Sequence, residues 1–259
     1  MKTVSQRIDK RESHTLYDGT VKLDFDPVKH RYYINGDYAY GVTTALGIIA
    51  KPQLIPWAAR MAGEYVKENL VPGVALDEIE IQKLVKEATS AHRNRKEGAA
   101  DAGTYVHNWI EDYVNGKNPD MPVSPVIQGV IKDFLQWHDR VRPEVVYAER
   151  MLCSPTHKLA GTPDLIARVD GKLTIMDWKT GSGIYPEMFL QMAAYALMYE
   201  EEFGEKIEAL HVVNASISNM FKDRVETDVT RYQEAYLDAL KLYKVMKEIE
   251  GNFRKGGNE

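Results

Sequence analysis

The sequence predicts an α/β fold in which helices flank a mixed β-sheet, preceded by a helical part and an N-terminal β-hairpin. Three observations predict it. Residues 21–47 alternate apolar and polar side chains around an Asn35-Gly36 turn, which is a strong hairpin signal. Residues 54–140 carry apolar side chains at helical spacing, and after Pro143 short β-rich runs alternate with helical segments. Elements in this order form sheets with helices packed on them.

The composition excludes several classes of protein. The chain has 259 residues, of which 44% are hydrophobic and 27% charged, and this suits a globular protein with its own core. No run of 18 apolar residues and no apolar leader occur, so we expect no membrane span, no signal peptide and a cytoplasmic location. The net charge of −5 argues against coating of duplex nucleic acid by bulk charge, but not against an enzyme with a local basic groove.

The N-terminal half is predicted to contain the hairpin and a group of helices. We expect residues 1–16 to form a flexible tail and the strands to cover about 23–26, 31–34 and 38–42, with a helix starting near Thr43 or Thr44. Amphipathic stretches then follow at 54–70, 76–92, 98–116 and 124–141. The segment "HRNRKEG", residues 92–98, is the densest basic patch in the chain.

The C-terminal half is predicted to form the α/β core. Three β-rich runs cover 144–154, 158–170 and 172–181, and the last two are separated by an Asp170-Gly171 turn. A helix at 186–204, a strand at 207–216 and a helix at 230–250 complete the pattern. We therefore predict one domain over residues 17–250, made of a hairpin and helical part at 17–140 and a core at 141–250, with a flexible tail at 251–259.

The stretch "TIMDWKTG", residues 174–181, is the first candidate for chemistry. Side chains two apart on a strand share a face, so Asp177 and Lys179 lie together and Trp178 points the other way. If residues 158–169 and 172–179 form a hairpin, Asp164 lies near the middle of its strand and approaches Asp177. Two carboxylates in an apolar sheet repel each other unless a cation neutralises them, and oxygen ligands favour Mg²⁺ or Mn²⁺. The alternative is an ordinary charge pair at the end of a strand.

Lys179 beside such a cation would favour one kind of reaction. A charged lysine cannot be a ligand, but it can position or deprotonate a water, or stabilise negative charge on a phosphate. These are the requirements of phosphodiester hydrolysis.

Four segments together carry a resemblance to a known family. "GTPDLI" followed by "MDWKTG" resembles the signature of the PD-(D/E)XK nucleases, and "QMAAY", residues 191–195, matches the Q-x-x-x-Y motif of their RecB-like exonuclease branch. "GTYVHNWIEDY", around His107, resembles the upstream histidine helix of that branch. Residues 42–66 also resemble the leading segment of phage-type members. The resemblance implies a restriction-endonuclease-like core, so that residues 17–250 would form a single nuclease domain with its catalytic core at 141–250.

The resemblance also implies roles for individual residues. Asp164, Asp177 and the backbone carbonyl of Trp178 would bind Mg²⁺ or Mn²⁺, and Lys179 would activate the water. His107 would be a further metal ligand, as in RecB-like members. Gln191 and Tyr195 share a helix face and would hold the DNA strand or brace the site. Some relatives have four cysteines for an iron–sulfur cluster, and with Cys153 alone we expect no such cluster here.

Several of these residues also have ordinary structural interpretations. His107 can be a packed or exposed helix residue, and Gln191 and Tyr195 can be surface and core positions. Glu149 is a weaker candidate for a second metal or an outer position, and a paired strand acid is the alternative. The basic patch can be a solvated turn, or it can contact phosphates through Arg93, Arg95 and Lys96.

The function that follows is a metal-dependent DNA exonuclease acting in recombination, repair or replication on single-stranded or duplex ends. The helices of residues 54–140 would restrict entry to a strand end. A recombinase or a single-strand annealing protein is the expected partner class, and the location would be the host cytoplasm for a phage-encoded protein. The alternatives are a structure-specific endonuclease and a non-catalytic DNA-binding accessory protein of recombination.

Overall fold

A computed structural model describes residues 11–217 and 220–256, with the side chains of 94–100 and 253–256 left out of the description. The strands are β1 Glu12–Leu16, β2 Val21–Asp26, β3 Arg31–Ile34, β4 Asp37–Gly41, β5 Glu144–Ala148, β6 Leu152–Ser154, β7 Leu159–Gly161, β8 Leu165–Val169, β9 Lys172–Lys179, β10 Ala209–Asn214 and β11 Lys222–Glu226. The helices are α1 Val42–Ala45, α2 Leu54–Asn69, α3 Glu78–Val114, α4 Pro125–Val141, α5 Pro186–Phe203 and α6 Val229–Gly256. A 3₁₀ turn, Leu46–Ile48, follows α1.

The strands form two mixed sheets. A six-stranded sheet has the order β1-β2-β3-β4-β7-β6, and a five-stranded sheet has the order β11-β10-β9-β8-β5. The pairs β4–β7 and β9–β10 are parallel and the others antiparallel. The predicted α/β class, with mixed sheets flanked by helices and strands at the N-terminus, is confirmed.

The five-stranded sheet is buried on both faces, and strand β9 shows how. Leu173 and Ile175 belong to the apolar cluster that includes Met192 of α5, while Met176 and Trp178 belong to the cluster of α3 and α4. Because alternate side chains point to opposite faces, one strand supplies both cores. The apolar residues of β9 therefore fix the orientation of the polar residues at its end.

Two predicted turns are confirmed. Asn35 and Gly36 have φ values of 50° and 87°, and Asp170 and Gly171 have 49° and 78°. Positive φ at both central residues is the geometry of a tight hairpin turn, which matches the right-handed twist of the flanking strands. The second turn joins β8 to β9, with Val169 opposite Lys172.

The ends of the described chain differ from the prediction. Residues 12–16, expected in a flexible tail, form β1, which pairs with β2 from Glu12 opposite Phe25 to Leu16 opposite Val21. Leu16 is buried in the N-terminal cluster and Ser13 Oγ donates a hydrogen bond to Asp24, so this polar segment is held by its partner strand. At the other end α6 continues to Gly256, beyond the tail boundary expected at 251.

The basic segment at residues 92–98 lies within a helix rather than in a turn. Two predicted amphipathic stretches, 76–92 and 98–116, are joined in the 37-residue helix α3. The segment contains no proline and a single glycine, so nothing in it prevents helix continuation. Asp77 caps the helix start, where it accepts a hydrogen bond from the Glu80 backbone N–H.

Two of the predicted β-rich runs are each divided between the two sheets. Residues 144–154 form β5 and β6, and residues 158–170 form β7 and β8. Glu149, with φ of 48°, breaks the first run, and Pro163 lies in the break of the second. Strand β11 was not predicted at all, because its residues "KDRVE" are mostly exposed and charged.

No described helix combines the length and the apolar character that crossing a membrane requires.

Candidate active site

The end of strand β9 holds a buried carboxylate beside a lysine. Asp177 is only 2% exposed, and its Oδ2 lies 2.5 Å from the Nζ of Lys179 on the same face of the strand. Trp178 points the other way and packs edge-on against Phe134, with ring centroids 5.6 Å apart. The alternation expected from the sequence is therefore present. Burial raises the pKa of Asp177 to about 6, although the Lys179 charge acts in the opposite direction.

Asp164 lies beside Asp177, but at the entrance to strand β8 rather than near the middle of a strand as expected. Its side-chain Oδ2 accepts a hydrogen bond of 2.7 Å from the Trp178 backbone N–H. Its backbone carbonyl accepts a hydrogen bond of 3.1 Å from the Glu149 N–H. The break after β7 frees Asp164 from regular strand pairing, and these two bonds tie it to β9 and to the chain after β5.

Helix α3 brings His107 into the same cluster. His107 Nε2 lies 3.3 Å from Asp164 Oδ2, and the hydrogen bond with Asp164 raises the pKa of His107 against the effect of burial. One turn earlier is Gly103, where an added Cβ would lie 2.5 Å from Thr180 Oγ1. Because glycine lacks this atom, α3 approaches the end of β9 closely enough for His107 to reach Asp164.

Helix α5 places Gln191 and Tyr195 together. Gln191 Nε2 donates a 3.0 Å hydrogen bond to the Tyr195 hydroxyl oxygen, as their shared helix face requires. Tyr195 is buried, which raises the pKa of its hydroxyl, and the charges of Asp177 and Asp164 act in the same direction. Its ring lies over Gly161, where an added Cβ would be 2.8 Å from Tyr195 Cε1. Tyr195 therefore packs against the chain that leads to Asp164.

Glu149 and Glu111 form a carboxylate pair next to these residues. Burial, a hydrogen bond with Glu111 and the charge of Glu111 raise the pKa of Glu149 to about 7, with a further contribution from Asp164. Glu149 has a left-handed backbone, which is uncommon for a residue other than glycine and tends to occur at functional sites. Glu111 was not a sequence candidate. It lies four residues after His107 on one helix, so the spacing that brings both to one face could have identified it.

The one candidate of the basic patch whose side chain is described, Arg93, lies away from this cluster. Arg93 is exposed and its Nη2 donates a hydrogen bond to Ser90 Oγ on the same helix. It lies fourteen residues before His107, which is about 21 Å along a helix axis. The side chains of Arg95 and Lys96 lie outside the described residues.

The donors at the site have the chemistry that a divalent cation requires. Carboxylate and carbonyl oxygens are the preferred ligands of Mg²⁺ and Mn²⁺, and imidazole is a further nitrogen donor. The buried Oδ2 of Asp177 has no hydrogen bond of regular geometry within the described part of the chain, although Lys179 Nζ is close. Burial of this anionic oxygen is costly; the Lys179 ammonium group offsets part of the cost, and a divalent cation would offset it further.

The carboxylates are nevertheless engaged with protein partners. Among the described residues, no three His, Cys, Asp or Glu side chains stand in the arrangement of a metal site. Asp164 Oδ2 is directed at His107 and the Trp178 N–H, while Asp177 Oδ2 is directed at Lys179. The types of ligand atom at the site therefore suit a divalent cation. To bind it, the carboxylates of Asp164 and Asp177 would have to rotate away from their present partners.

Comparison with known proteins identifies one family. The family model described as the PD-(D/E)XK nuclease superfamily matches residues 121–255, which is more than half of the 259-residue chain. This range contains Glu149, Asp164, Asp177 and Lys179, whereas His107 and Glu111 precede it. No curated protein matches the sequence.

Three solved structures are similar in part. A candidate exonuclease from Eubacterium rectale is 10% identical with a TM-score of 0.41, and 54% of this chain is aligned with 64% of that one. LHK-Exo in complex with dAMP is 13% identical over 60% of this chain and 85% of that one, with a TM-score of 0.33. The alkaline exonuclease LHK-Exo from Laribacter hongkongensis is 9% identical over 77% and 99%, with a TM-score of 0.26. The chain thus spans less than two thirds of the first of these proteins.

Proposed function

The chain belongs to the PD-(D/E)XK nuclease superfamily, and from this premise we propose that it is a divalent-metal-dependent DNA exonuclease. The observation that carries the proposal is the convergence of four side chains from three elements. Asp177 and Lys179 end β9, Asp164 precedes β8, and His107 reaches Asp164 from α3. The family match and the proximity of these four side chains both support the proposal.

We assign the cation to the carboxylate side of this cluster. Asp164, Asp177 and the Trp178 carbonyl would hold Mg²⁺ or Mn²⁺, with His107 as a further ligand. When bound, the cation supplies Lewis-acid polarisation of the phosphate and lowers the pKa of a bound water.

Lys179 is assigned to the water and the phosphate. Its ammonium group is held by Asp177, which keeps it at the strand end and lowers the cost of its partial burial. From there it can orient a water for attack or neutralise charge that develops on the phosphate oxygens.

The remaining residues of the site have supporting roles. Tyr195, held by Gln191 and packed on Gly161, braces the turn that presents Asp164. Glu149, whose pKa is raised by burial and by the neighbouring Glu111, lies beside His107 and Asp164, where it suits acceptance of a proton or a contact with a second cation.

Exonuclease action is supported by what surrounds the cluster. Helix α3 lies against the end of β9 on one side, where Gly103 permits the approach to Thr180. The N-terminal strands border the chain around Glu149 and Gly161 on another side. A site bordered by protein on two sides favours a strand end over a continuous duplex. We place the activity in recombination, repair or replication of DNA, where a recombinase or single-strand annealing protein would take up the product.

The test is a digestion of end-labelled linear DNA and closed circular DNA with Mg²⁺, Mn²⁺ or EDTA. We expect degradation of the linear substrate, none of the circle, and no reaction in EDTA. Lys179→Ala should lower the rate by about 10²–10⁴-fold, the usual contribution of a positioned acid or base. Lys172→Ala, an exposed lysine on the same strand, is the matched control and should digest at the rate of the natural protein.

Three outcomes would contradict the proposal. Nicking of the circle would replace the exonuclease with an endonuclease. Binding without cleavage in either metal would indicate an accessory protein. Cleavage by Lys179→Ala at the rate of Lys172→Ala would remove Lys179 from the reaction.

A further inference from the structure

A groove of about 770 Å³ runs beside the catalytic cluster and has no role in the assignments above. The side near the cluster includes Glu149, Thr162 and Tyr195, so the groove opens next to the turn that carries Asp164. The opposite side is formed by the N-terminal strands β1 to β3. Its volume lies within the range of pockets that hold drug-sized molecules, which includes a nucleotide.

The opposite side of the groove presents an aromatic wall made of Phe25, His30 and Tyr32. Phe25 stacks on Tyr32 with ring centroids 4.7 Å apart and an interplanar angle of 26°. His30 meets Phe25 edge-on at 5.3 Å. Tyr32 is buried, Phe25 half-buried and His30 exposed. An aromatic wall beside a nuclease site is suited to nucleobases, since every base has a π face that can stack.

The polar groups of the groove also favour a base over a phosphate. His14 and Arg150 border the groove; the Nε2 of His14 has no hydrogen-bond partner within the described residues, while the guanidinium group of Arg150 is paired with Glu202. An unpaired base carries donors and acceptors on its edge that suit a lining of mixed polar side chains. The carboxylates of Glu12 and Glu149 border the same space, so the groove lacks the uniformly basic lining that a phosphate backbone requires.

We propose that this groove binds an unpaired nucleobase of the substrate end, stacked against the wall of Phe25, His30 and Tyr32. The inference rests on the proposed nuclease function and narrows its range of substrates, because a base can enter the groove only after it leaves a duplex. The preferred substrate is therefore a single-stranded or frayed end.

The test measures binding in EDTA, where no cleavage takes place. Fluorescence anisotropy gives the Kd for a single-stranded oligonucleotide and for versions with abasic nucleotides at the 5′ or the 3′ end. The natural protein should bind the intact strand roughly tenfold more tightly than one of the abasic strands, which is a typical contribution of a stacked base. Phe25→Leu, which keeps an apolar side chain but removes the ring, should abolish most of this preference.

Two further variants separate stacking from folding. His30→Asn changes an exposed side chain at a left-handed position that asparagine also tolerates, and it should reduce the preference without lowering the Tm. Tyr33→Leu is the matched control, since Tyr33 lies on β3 next to Tyr32 and does not line the groove. The Tyr33→Leu variant should keep the preference for the intact strand over the abasic strand.

Failure of this inference is distinguishable from failure of the nuclease assignment. Equal binding of intact and abasic strands by the natural protein would overturn the base subsite, and so would an unchanged preference in both Phe25→Leu and His30→Asn. In either case, digestion of linear DNA by the natural protein would leave the nuclease function in place. Absence of digestion would contradict the proposed function itself.

Discussion

Two histidine–aspartate pairs in this molecule have opposite electrostatic outcomes. His107 Nε2 lies 3.3 Å from Asp164 Oδ2, and its pKa is raised because the hydrogen bond outweighs burial. His211 Nε2 lies 2.9 Å from Asp223 Oδ2, yet its pKa is lowered because burial outweighs the same kind of bond. The shorter contact therefore belongs to the histidine that is harder to protonate.

The difference follows from what surrounds each pair. His211 is 3% exposed and packs edge-on against the Trp137 ring at 5.5 Å, while Asp223 also accepts a hydrogen bond from Trp137 Nε1. The side chain of His107 is 31% exposed and borders carboxylates whose negative charge raises its pKa. The first pair is satisfied by the protein alone and joins α4 to β10 and β11. The second has capacity for a further partner, which is what a functional site requires.

Within this comparison, the largest expected effect comes from exchanging each histidine for alanine. His107→Ala should raise the Mg²⁺ or Mn²⁺ concentration for half-maximal cleavage by roughly 10–100-fold, a range seen when metal-site residues are lost, with little change in stability. His211→Ala should lower the free energy of unfolding by about 2–3 kcal/mol, because it leaves a cavity and removes a buried hydrogen bond.

Cleavage measured over a series of metal concentrations tests the prediction for His107→Ala. Urea unfolding tests the prediction for His211→Ala. The metal dependence of His211→Ala should match that of the natural protein under conditions where it is folded. If His107→Ala keeps the natural metal dependence, His107 belongs with the structural histidine, and the contrast between the pairs has no functional meaning.

The next largest effect concerns the positioning of Asp164, the aspartate of the first pair. The position of Asp223 in the second pair is not affected by this change. Gly161→Ala should destabilise the protein by about 1–3 kcal/mol, because the new Cβ would lie 2.8 Å from the buried Tyr195 ring and 3.2 Å from Val42 Cγ2. The adjoining turn carries Asp164, so the cleavage rate should fall as well. Thermal unfolding and the rate on linear DNA are the measurements.

Gly129→Ala is the matched control for this glycine. It lies in helix α4 with nothing within 4 Å of the added Cβ, so alanine should be neutral or slightly stabilising there. Equal stability of the Gly161 and Gly129 variants would show that the close packing of Tyr195 does not hold the Asp164 turn.

The same contrast shows which parts of the site the sequence could predict. Side chains two apart on any strand share a face, so the shared face of Asp177 and Lys179 followed from the strand prediction alone. The position of Asp164 did not, because Pro163 and the left-handed Glu149 divide two runs between sheets, and such a division depends on tertiary pairing. His107 was proposed through family resemblance, and its contact with Asp164 depends on the approach of α3 at Gly103.

The fold was predictable to a similar extent. The turns at Asn35-Gly36 and Asp170-Gly171 depend on the backbone preferences of these residues themselves, and the structure contains both. Strand β1 and strand β11 were missed, since their charged and polar residues become strands only through pairing with β2 and β10. Glu111 was not predicted, although it lies four residues after His107 and therefore on the same helix face.

The smallest expected effect is a pH dependence of stability that comes from His211. The folded pKa of His211 lies below its ordinary value of 6.5, so the unfolded chain takes up a proton first as the pH falls. Stability from this group is therefore constant above about pH 7 and decreases as the pH falls through 6.5. The groups that act on His211 are Asp223, which raises its pKa, and Arg140, which lowers it in the same direction as burial.

His211→Gln isolates this contribution, because glutamine can donate a hydrogen bond to Asp223 but does not titrate. Urea unfolding in EDTA at pH 7.5 and pH 5.5 gives the loss of unfolding free energy on acidification for both chains. The loss should be smaller in His211→Gln, since all other titrating groups are common to the two proteins. An equal loss in both would mean that Asp223 compensates for the burial of His211, and the two histidine–aspartate pairs would then differ in exposure but not in proton affinity.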